Sequence, residues 1–344
     1  MKQLSGTDPL TRTDLLDLMQ GYKKTAALRT AIHLGLFDAL ADGPASADAL
    51  AERLGAQPRG VRLLLNALTA IGLLDGDGRD HRLAAGSREL LVSSEPTYCG
   101  GNVYVAASDR EWQALGDLDR TVRDGGPVPG VDAEAPDFDY WVDFARHTTL
   151  ATQGGARLVA DALVDWARTR PAPAVLDVGA GAGSFGFTLA QRLPSATVCA
   201  LDWPDVLERA AEHAERMGVR ERTTFRAGDA FDIPLGGPYD IVVVANLLVH
   251  FSPERCRELL GRLRDVLTPD GRLVVAGFTA ESPGTDLHAH LLNLLMLSWT
   301  TGGEAQPIAT YAGLLTELGL PEPQILARPG VPIRALITPP VPGG

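Results

Sequence analysis

Three aspartates, one histidine and three alternating glycines in this 344-residue chain are spaced for chemistry on a small molecule. Gly179, Gly181 and Gly183 alternate within the stretch Val175-Leu-Asp-Val-Gly-Ala-Gly-Ala-Gly-Ser-Phe-Gly186. Glycine admits positive φ and lets a ligand approach the main chain closely. A helix opening just after such a turn presents free N–H groups and its positive dipole end. The letters also fit G-x-G-x-x-G at Gly181, Gly183 and Gly186, which alone is a weak dinucleotide signature. Asp177, two residues before Gly179, would repel a pyrophosphate and tolerates a cationic ligand. Asp202 closes the apolar run 196–201, where a carboxylate about 20 residues past the turn accepts both ribose hydroxyls. Asp229, in Gly228-Asp-Ala-Phe231, is placed to accept from an adenine amino group, with Ala230 and Phe231 flanking the ring. Trp203 and Asn246 complete the candidate cofactor contacts.

The elements that position these residues follow from pattern. Val175, Leu176 and Val178 end a buried strand, and Leu189, Ala190 and Leu193 continue as a helix. The βα alternation then runs on. It predicts helix 205–217, strand 223–227, strand 239–246, helix 253–267 capped by Ser252, and strand 272–278 after a turn at 269–271. A long apolar segment, 287–299, a helix over 310–318 and a hairpin of 324–328 with 333–338 follow. Upstream, Thr13 is placed to cap a helix from Asp14 to about residue 40. Ser46 caps a short helix over 47–54, Pro58 opens another that ends near Gly72, and 75–83 has the turn residues of a wing. Residues 98–115 and 137–160 read as helical, separated by a Gly/Pro/acid loop over 124–136.

Three helices and a wing read as a winged helix, but the third helix, Pro58-Arg-Gly-Val-Arg-Leu-Leu-Leu-Asn-Ala-Leu-Thr-Ala-Ile71, is apolar nearly all round. That predicts burial or a subunit contact rather than DNA binding. The formal net charge of −12 also disfavours nucleic acid and anionic membranes. The three cysteines are scattered, the N-terminus lacks a signal-type apolar core, and no apolar run has transmembrane length. The expectation is a soluble cytoplasmic protein of two domains.

The ordered set Asp177-Val-Gly-Ala-Gly-Ala-Gly183, Asp202 and Asp229 resembles the S-adenosylmethionine (SAM) sites of class I methyltransferases. A nicotinamide-binding fold would require a catalytic domain beyond the sheet, for which little length remains. Gly35-Leu-Phe-Asp-Ala-Leu40, Ala51-Glu-Arg-Leu-Gly55 and Arg62-Leu-Leu-Leu-Asn-Ala-Leu-Thr-Ala-Ile-Gly-Leu-Leu74 resemble the dimerisation domain of the caffeate-type and bacterial polyketide O-methyltransferases. The resemblance covers nearly the whole chain. It implies an α/β fold: a Rossmann-like class I methyltransferase domain with a mainly α, winged-helix dimerisation domain before it. The implied division is 10–100 for dimerisation, 101–160 for a helical linker and acceptor-pocket wall, and 161–339 for the SAM-binding domain. It also implies a homodimer, a small-molecule acceptor, and acceptor contacts from Trp141, His147, Asn293, Met296 and Trp299. Core packing competes with that role, most strongly for Met296.

The segment Asn246-Leu-Leu-Val-His-Phe-Ser-Pro-Glu-Arg-Cys256 lies on the ligand-binding edge of the predicted sheet. It resembles the family's catalytic segment, in which the base is the first residue of a pair. Here that position is Val249, and His250 is the second. The family's two supporting glutamates match Gly277 and Ala305, with Glu304 adjacent. Two readings of His250 stand at this point: a base shifted by one position, or a packed histidine at a strand end. The first goes with O-methylation. A lost base goes with C-methylation of an activated carbon, or with a SAM-binding protein of other or no activity. His288 and His290 with His250 raise a metal only as a minor reading, because residues two apart on a helix diverge; no metal is expected.

Overall fold

The computed structural model describes residues 9–282 and 285–340. The first eight residues, part of the stretch read for a signal core, lie outside them. The chain divides into two compact units, Met1–Asp109 and Arg110–Gly344.

In the first unit, Thr11 rather than Thr13 caps the opening helix, Arg12–Met19. Its hydroxyl accepts from the Asp14 N–H at 3.2 Å, and Asp14 Oδ2 accepts from the Thr11 N–H at 3.1 Å. The single long helix expected to residue 40 is three: Arg12–Met19, Gly21–His33 and Leu36–Ala39. Gly35 at φ 67° makes the second break, a left-handed turn that the apolar spacing does not reveal. Helix Ala47–Leu54 is capped by Ser46, and Pro58–Ile71 opens on its proline. Strands β1 (Ala45–Ser46), β2 (Leu74–Gly76) and β3 (Asp80–Leu83) pair antiparallel in the order β1-β3-β2. Leu36, Phe37, Leu50, Leu65 and Leu68 form the core. Helix Pro58–Ile71 buries Val61, Leu65 and Leu68 but leaves Leu63 48% exposed and Ile71 36% exposed. Its all-round apolar character is therefore only half used within this unit.

The second unit is a seven-stranded sheet with strands β4 (Ala174–Val178), β5 (Thr197–Asp202), β6 (Thr223–Ala227), β7 (Tyr239–Ala245), β8 (Leu267–Gly277), β9 (Gln324–Arg328) and β10 (Val331–Ile337). The order is β6-β5-β4-β7-β8-β10-β9; the first five are parallel and β10 runs antiparallel to both neighbours. Residues 269–271 do not separate two elements. They lie inside β8, where its register against β7 shifts. Both sheet faces are covered, so the central strands read as continuous apolar runs. Val175, Val198, Ile241 and Val243 pack on helices Thr149–Ala167, Ser184–Arg192 and Pro204–Arg216. Leu176, Val178, Val242 and Val244 pack on Pro253–Arg264 and Ile308–Glu317. The stretch 137–160 is two helices, Tyr140–His147 and Thr149–Ala167, and 98–115 is likewise interrupted.

Register places the candidate residues. Val178 pairs with Leu201 and with Val244. Asp202 pairs with Ala227. Gly179, Asp202, Gly228 and Asn246 therefore emerge together at one carboxyl edge, around the point where strand order reverses between β4 and β7.

Candidate active site

The loop after β4 is held from beneath. Asp177 is 1% exposed, and its Oδ2 accepts from the Gly186 N–H at 2.8 Å. The carboxylate thus satisfies a free donor in the first turn of helix Ser184–Arg192. Burial pushes the Asp177 carboxyl up to about 7; the Gly186 N–H opposes the rise and the nearby Asp202 charge adds to it. Gly186 is required by close approach, since a Cβ there would lie 2.9 Å from Val198 and 3.0 Å from Asp177 Oδ2. Gly179 and Gly181 take φ of 62° and 55°. A Cβ on Gly179 would collide with Leu247, whereas one on Gly181 would point into open space. His213 Nδ1 lies 2.7 Å from the Ala182 carbonyl oxygen and fixes the loop from helix Pro204–Arg216.

Asp202 faces this loop from the end of β5. Its Oδ2 accepts from the Gly181 N–H at 2.8 Å and its Oδ1 from the Trp203 N–H at 2.7 Å. Burial raises its carboxyl to about 6 against the pull of those two donors. Asp229 Oδ1 accepts from the Phe231 N–H at 2.8 Å, an Asx turn that presents Ala230 and Phe231. Asn246 sits at φ 55°, and its buried Oδ1 has no hydrogen-bond partner among the described residues. The hydrogen-bond donors to Asp177, Asp202 and Asp229 are main-chain N–H groups. Two carboxylates against a glycine loop, a third on the next strand, and an unspent amide oxygen fit a ligand carrying hydroxyls and positive charge. An anionic pyrophosphate does not suit that set of acceptors.

Past β7, the short helix Leu248–His250 carries the histidine. His250 Nδ1 lies 2.9 Å from the Leu247 carbonyl oxygen. With the proton on Nδ1, a tautomer assigned from this contact, Nε2 is a free acceptor. Burial pushes His250 down to about 4, against that hydrogen bond, so the ring is neutral near pH 7. Val249 is buried and lines a narrow pocket of about 20 Å³ with Asn246, Gly277 and Tyr311. Ala305 is fully buried.

Aromatic rings flank the histidine. Trp141 meets His250 edge to face at 4.7 Å between centroids, and its indole N–H donates to the Ala133 carbonyl at 2.8 Å. Trp299 packs on Tyr140 at 4.7 Å and on Phe138 at 5.3 Å; both rings also touch Trp141. The structure thus joins Trp141, Trp299 and His250 in one cluster. Met296 and Trp299 are almost fully buried. Asn293 turns its amide onto Ala305: Oδ1 accepts from the backbone N–H at 2.7 Å and Nδ2 donates to the carbonyl at 3.4 Å. His147 is half-buried at the end of helix Tyr140–His147, and burial lowers its pKa despite Asp143. His288 packs against Phe278 with the two rings tilted by 52°, and His290 Nε2 faces the Ser282 carbonyl. Among the described residues, no cluster of three or more His, Cys, Asp or Glu is placed to hold a metal, and no helix is long and apolar enough to cross a membrane.

Sequence reading missed Arg255 and Glu134. The Arg255 guanidinium lies 4.2 Å from the Phe231 ring centroid, and its Nη1 is 2.7 Å from Glu134 Oε2. Arg255 lies in the first turn of helix Pro253–Arg264, and no local spacing links it to Phe231 on the preceding βα segment. Glu134 lies in a loop with no periodicity to read.

Comparison with known proteins gives the same outline. Residues 142–321 match the model of an O-methyltransferase domain, and residues 16–93 match that of an O-methyltransferase dimerisation domain. The chain is 32% identical over 337 residues to acetylserotonin O-methyltransferase of Rattus norvegicus, covering 94% of this chain and 76% of that protein. It is 32% identical over 342 residues to 3-hydroxy-5-methyl-1-naphthoate 3-O-methyltransferase of Streptomyces sahachiroi, covering 95% of each. The solved structure of PigF with SAH superposes with a TM-score of 0.82 at 26% identity, covering 96% of this chain and all of the other.

Proposed function

The chain belongs to the O-methyltransferase family, and from that membership we propose that it methylates a hydroxyl of a small aromatic, polyketide-like acceptor, with His250 as the base. It is a SAM-dependent methyltransferase. SAM, when bound, supplies an electrophilic methyl group on a sulfonium. The chain's own contribution is alignment and deprotonation. The observation that carries the reading is Asp202, at the end of β5 and bonded to the Gly181 N–H, facing the glycine loop.

Asp202 holds the ribose hydroxyls, Asp229 with Ala230 and Phe231 holds the adenine, and Gly179, Gly181, Trp203 and Asn246 complete the contact surface. Asp177 acts from beneath, by fixing the helix that follows the loop. Trp141 and Trp299 wall the acceptor side, with Met296 behind them and His147 and Asn293 at its margin. Neutral His250 accepts the acceptor's hydroxyl proton at Nε2. Support comes from its tautomer, its place at the carboxyl edge and the aromatic faces beside it. Relatives named for aromatic acceptors, the naphthoate enzyme among them, support the substrate class.

Residues 10–100 serve dimerisation, residues 101–160 wall the acceptor pocket, and 161–339 bind SAM. Helix Arg12–Met19 buries no residue within its chain, and Leu16, Leu18 and Met19 are each more than half exposed. With Leu63 and Ile71 they suit an obligate interface, which commonly buries more than about 2,000 Å². The protein works as a cytoplasmic homodimer. Titration calorimetry tests the cofactor assignment: SAM should bind and NAD should not. Tight NAD binding, or a monomer mass by light scattering at micromolar concentration, would refute the corresponding part.

A further inference from the structure

We infer that the segment around Ala133 and Glu134 is a strap latched over the adenine side of the cofactor pocket, so that cofactor release requires the Glu134–Arg255 pair to open. The inference rests on the assignment of Asp229 and Phe231 as adenine contacts. Arg255 makes two contacts at once. Its guanidinium lies over the Phe231 ring at 4.2 Å, and its Nη1 is 2.7 Å from Glu134 Oε2. Glu134 is held although like charges surround it: burial, Asp132 and Asp229 all raise its pKa, and Arg255 is the opposing charge. A carboxylate kept near two others is held by that guanidinium, so opening the pair frees this end of the strap.

The neighbouring residue ties the strap to the acceptor side. Ala133 is 3% exposed; its N–H donates to the Trp299 carbonyl at 3.1 Å, and its carbonyl accepts from the Trp141 indole at 2.8 Å. Trp141 in turn packs against His250. One short segment therefore touches the Arg255 cover of Phe231 on one side and the aromatic wall beside the candidate base on the other. Glu134 is a positioning residue: it acts through Arg255 and through Ala133. Arg255 is 45% exposed in its side chain, and such pairs stabilise only modestly. A latch of that strength opens readily in every turnover.

The test uses the full-length protein and SAH as the probe. Stopped-flow release of SAH should be about two- to fivefold faster in Glu134→Gln and in Arg255→Gln than in the native protein. The double variant should release no faster than Arg255→Gln alone, because both changes open one latch. Without any ligand, hydrogen exchange of the peptide containing the Ala133 amide should speed up in Glu134→Gln while circular dichroism stays native. Unchanged release with SAH still bound, or fully additive effects of the two substitutions, would overturn the strap and leave the cofactor assignment standing. Failure of the native protein to bind SAH would overturn both.

Discussion

At the ends of β4, β5 and β6 the three aspartates are each held by main-chain N–H groups, from Gly186, from Gly181 and Trp203, and from Phe231. At the end of β7 the chain offers an imidazole among aromatic rings and one amide oxygen without a partner among the described residues. The cofactor side is thus built from short local segments whose backbone does the holding. The aromatic wall beside it is built from the side chains of Phe138, Tyr140, Trp141, His250 and Trp299, far apart in sequence. Backbone-held carboxylates keep their geometry whatever the surrounding side chains are. A wall of side chains changes whenever the acceptor does.

Three substitutions probe that contrast. The largest effect is expected from His250→Asn, which removes the proton acceptor and should lower kcat by about 10²–10⁴-fold with SAM affinity nearly native. A near-native rate would mean that the acceptor side works without a base. Next is Asp202→Ala, which deletes a carboxylate worth about 1.5–3 kcal/mol to its hydrogen-bond partners. Calorimetry should show SAM binding weakened by about 10- to 150-fold, with kcat at saturating SAM changed far less. Equal losses in kcat and affinity would erase the division between the two sides.

The third test, read in stability rather than in catalysis or affinity, concerns Asp177. Its carboxyl titrates near 7 in the folded chain, above the ordinary value of an unfolded aspartate. The folded state therefore binds the extra proton, and this contribution to stability is present at low pH and lost as pH rises from about 4 to 7. Asn at 177 keeps an oxygen for the Gly186 N–H and cannot ionise. Denaturant titrations should show Asp177→Asn gaining stability relative to native as pH rises through that window. A constant difference would place the carboxylate's charge outside the loop's energetics.

The legible part of the sequence follows the same division. That Gly179, Gly181, Asp202 and Asp229 meet at one sheet edge is legible because strand, turn and helix signals sit within a few residues of each, and the strand register does the rest. The break at Gly35 was not, because apolar spacing continues across it and only the left-handed φ ends the helix. Thr11 took the cap expected of Thr13 because Asp14 completes its reciprocal bond. Asn293 was read for its side chain, and that amide is spent on the Ala305 backbone. The role of Ala133 was beyond sequence reasoning altogether, since it acts through its N–H and carbonyl and any residue type carries those.

The central claim is transfer of a methyl group to an oxygen that His250 deprotonates. The most direct measurement is NMR of the product formed from methyl-¹³C SAM and a phenolic polycyclic acceptor, with native protein and His250→Asn run side by side. A labelled methyl bonded to oxygen is expected in the native reaction, and only traces of it with the variant. A labelled methyl on a ring carbon, or equal yields from the two proteins, would contradict it.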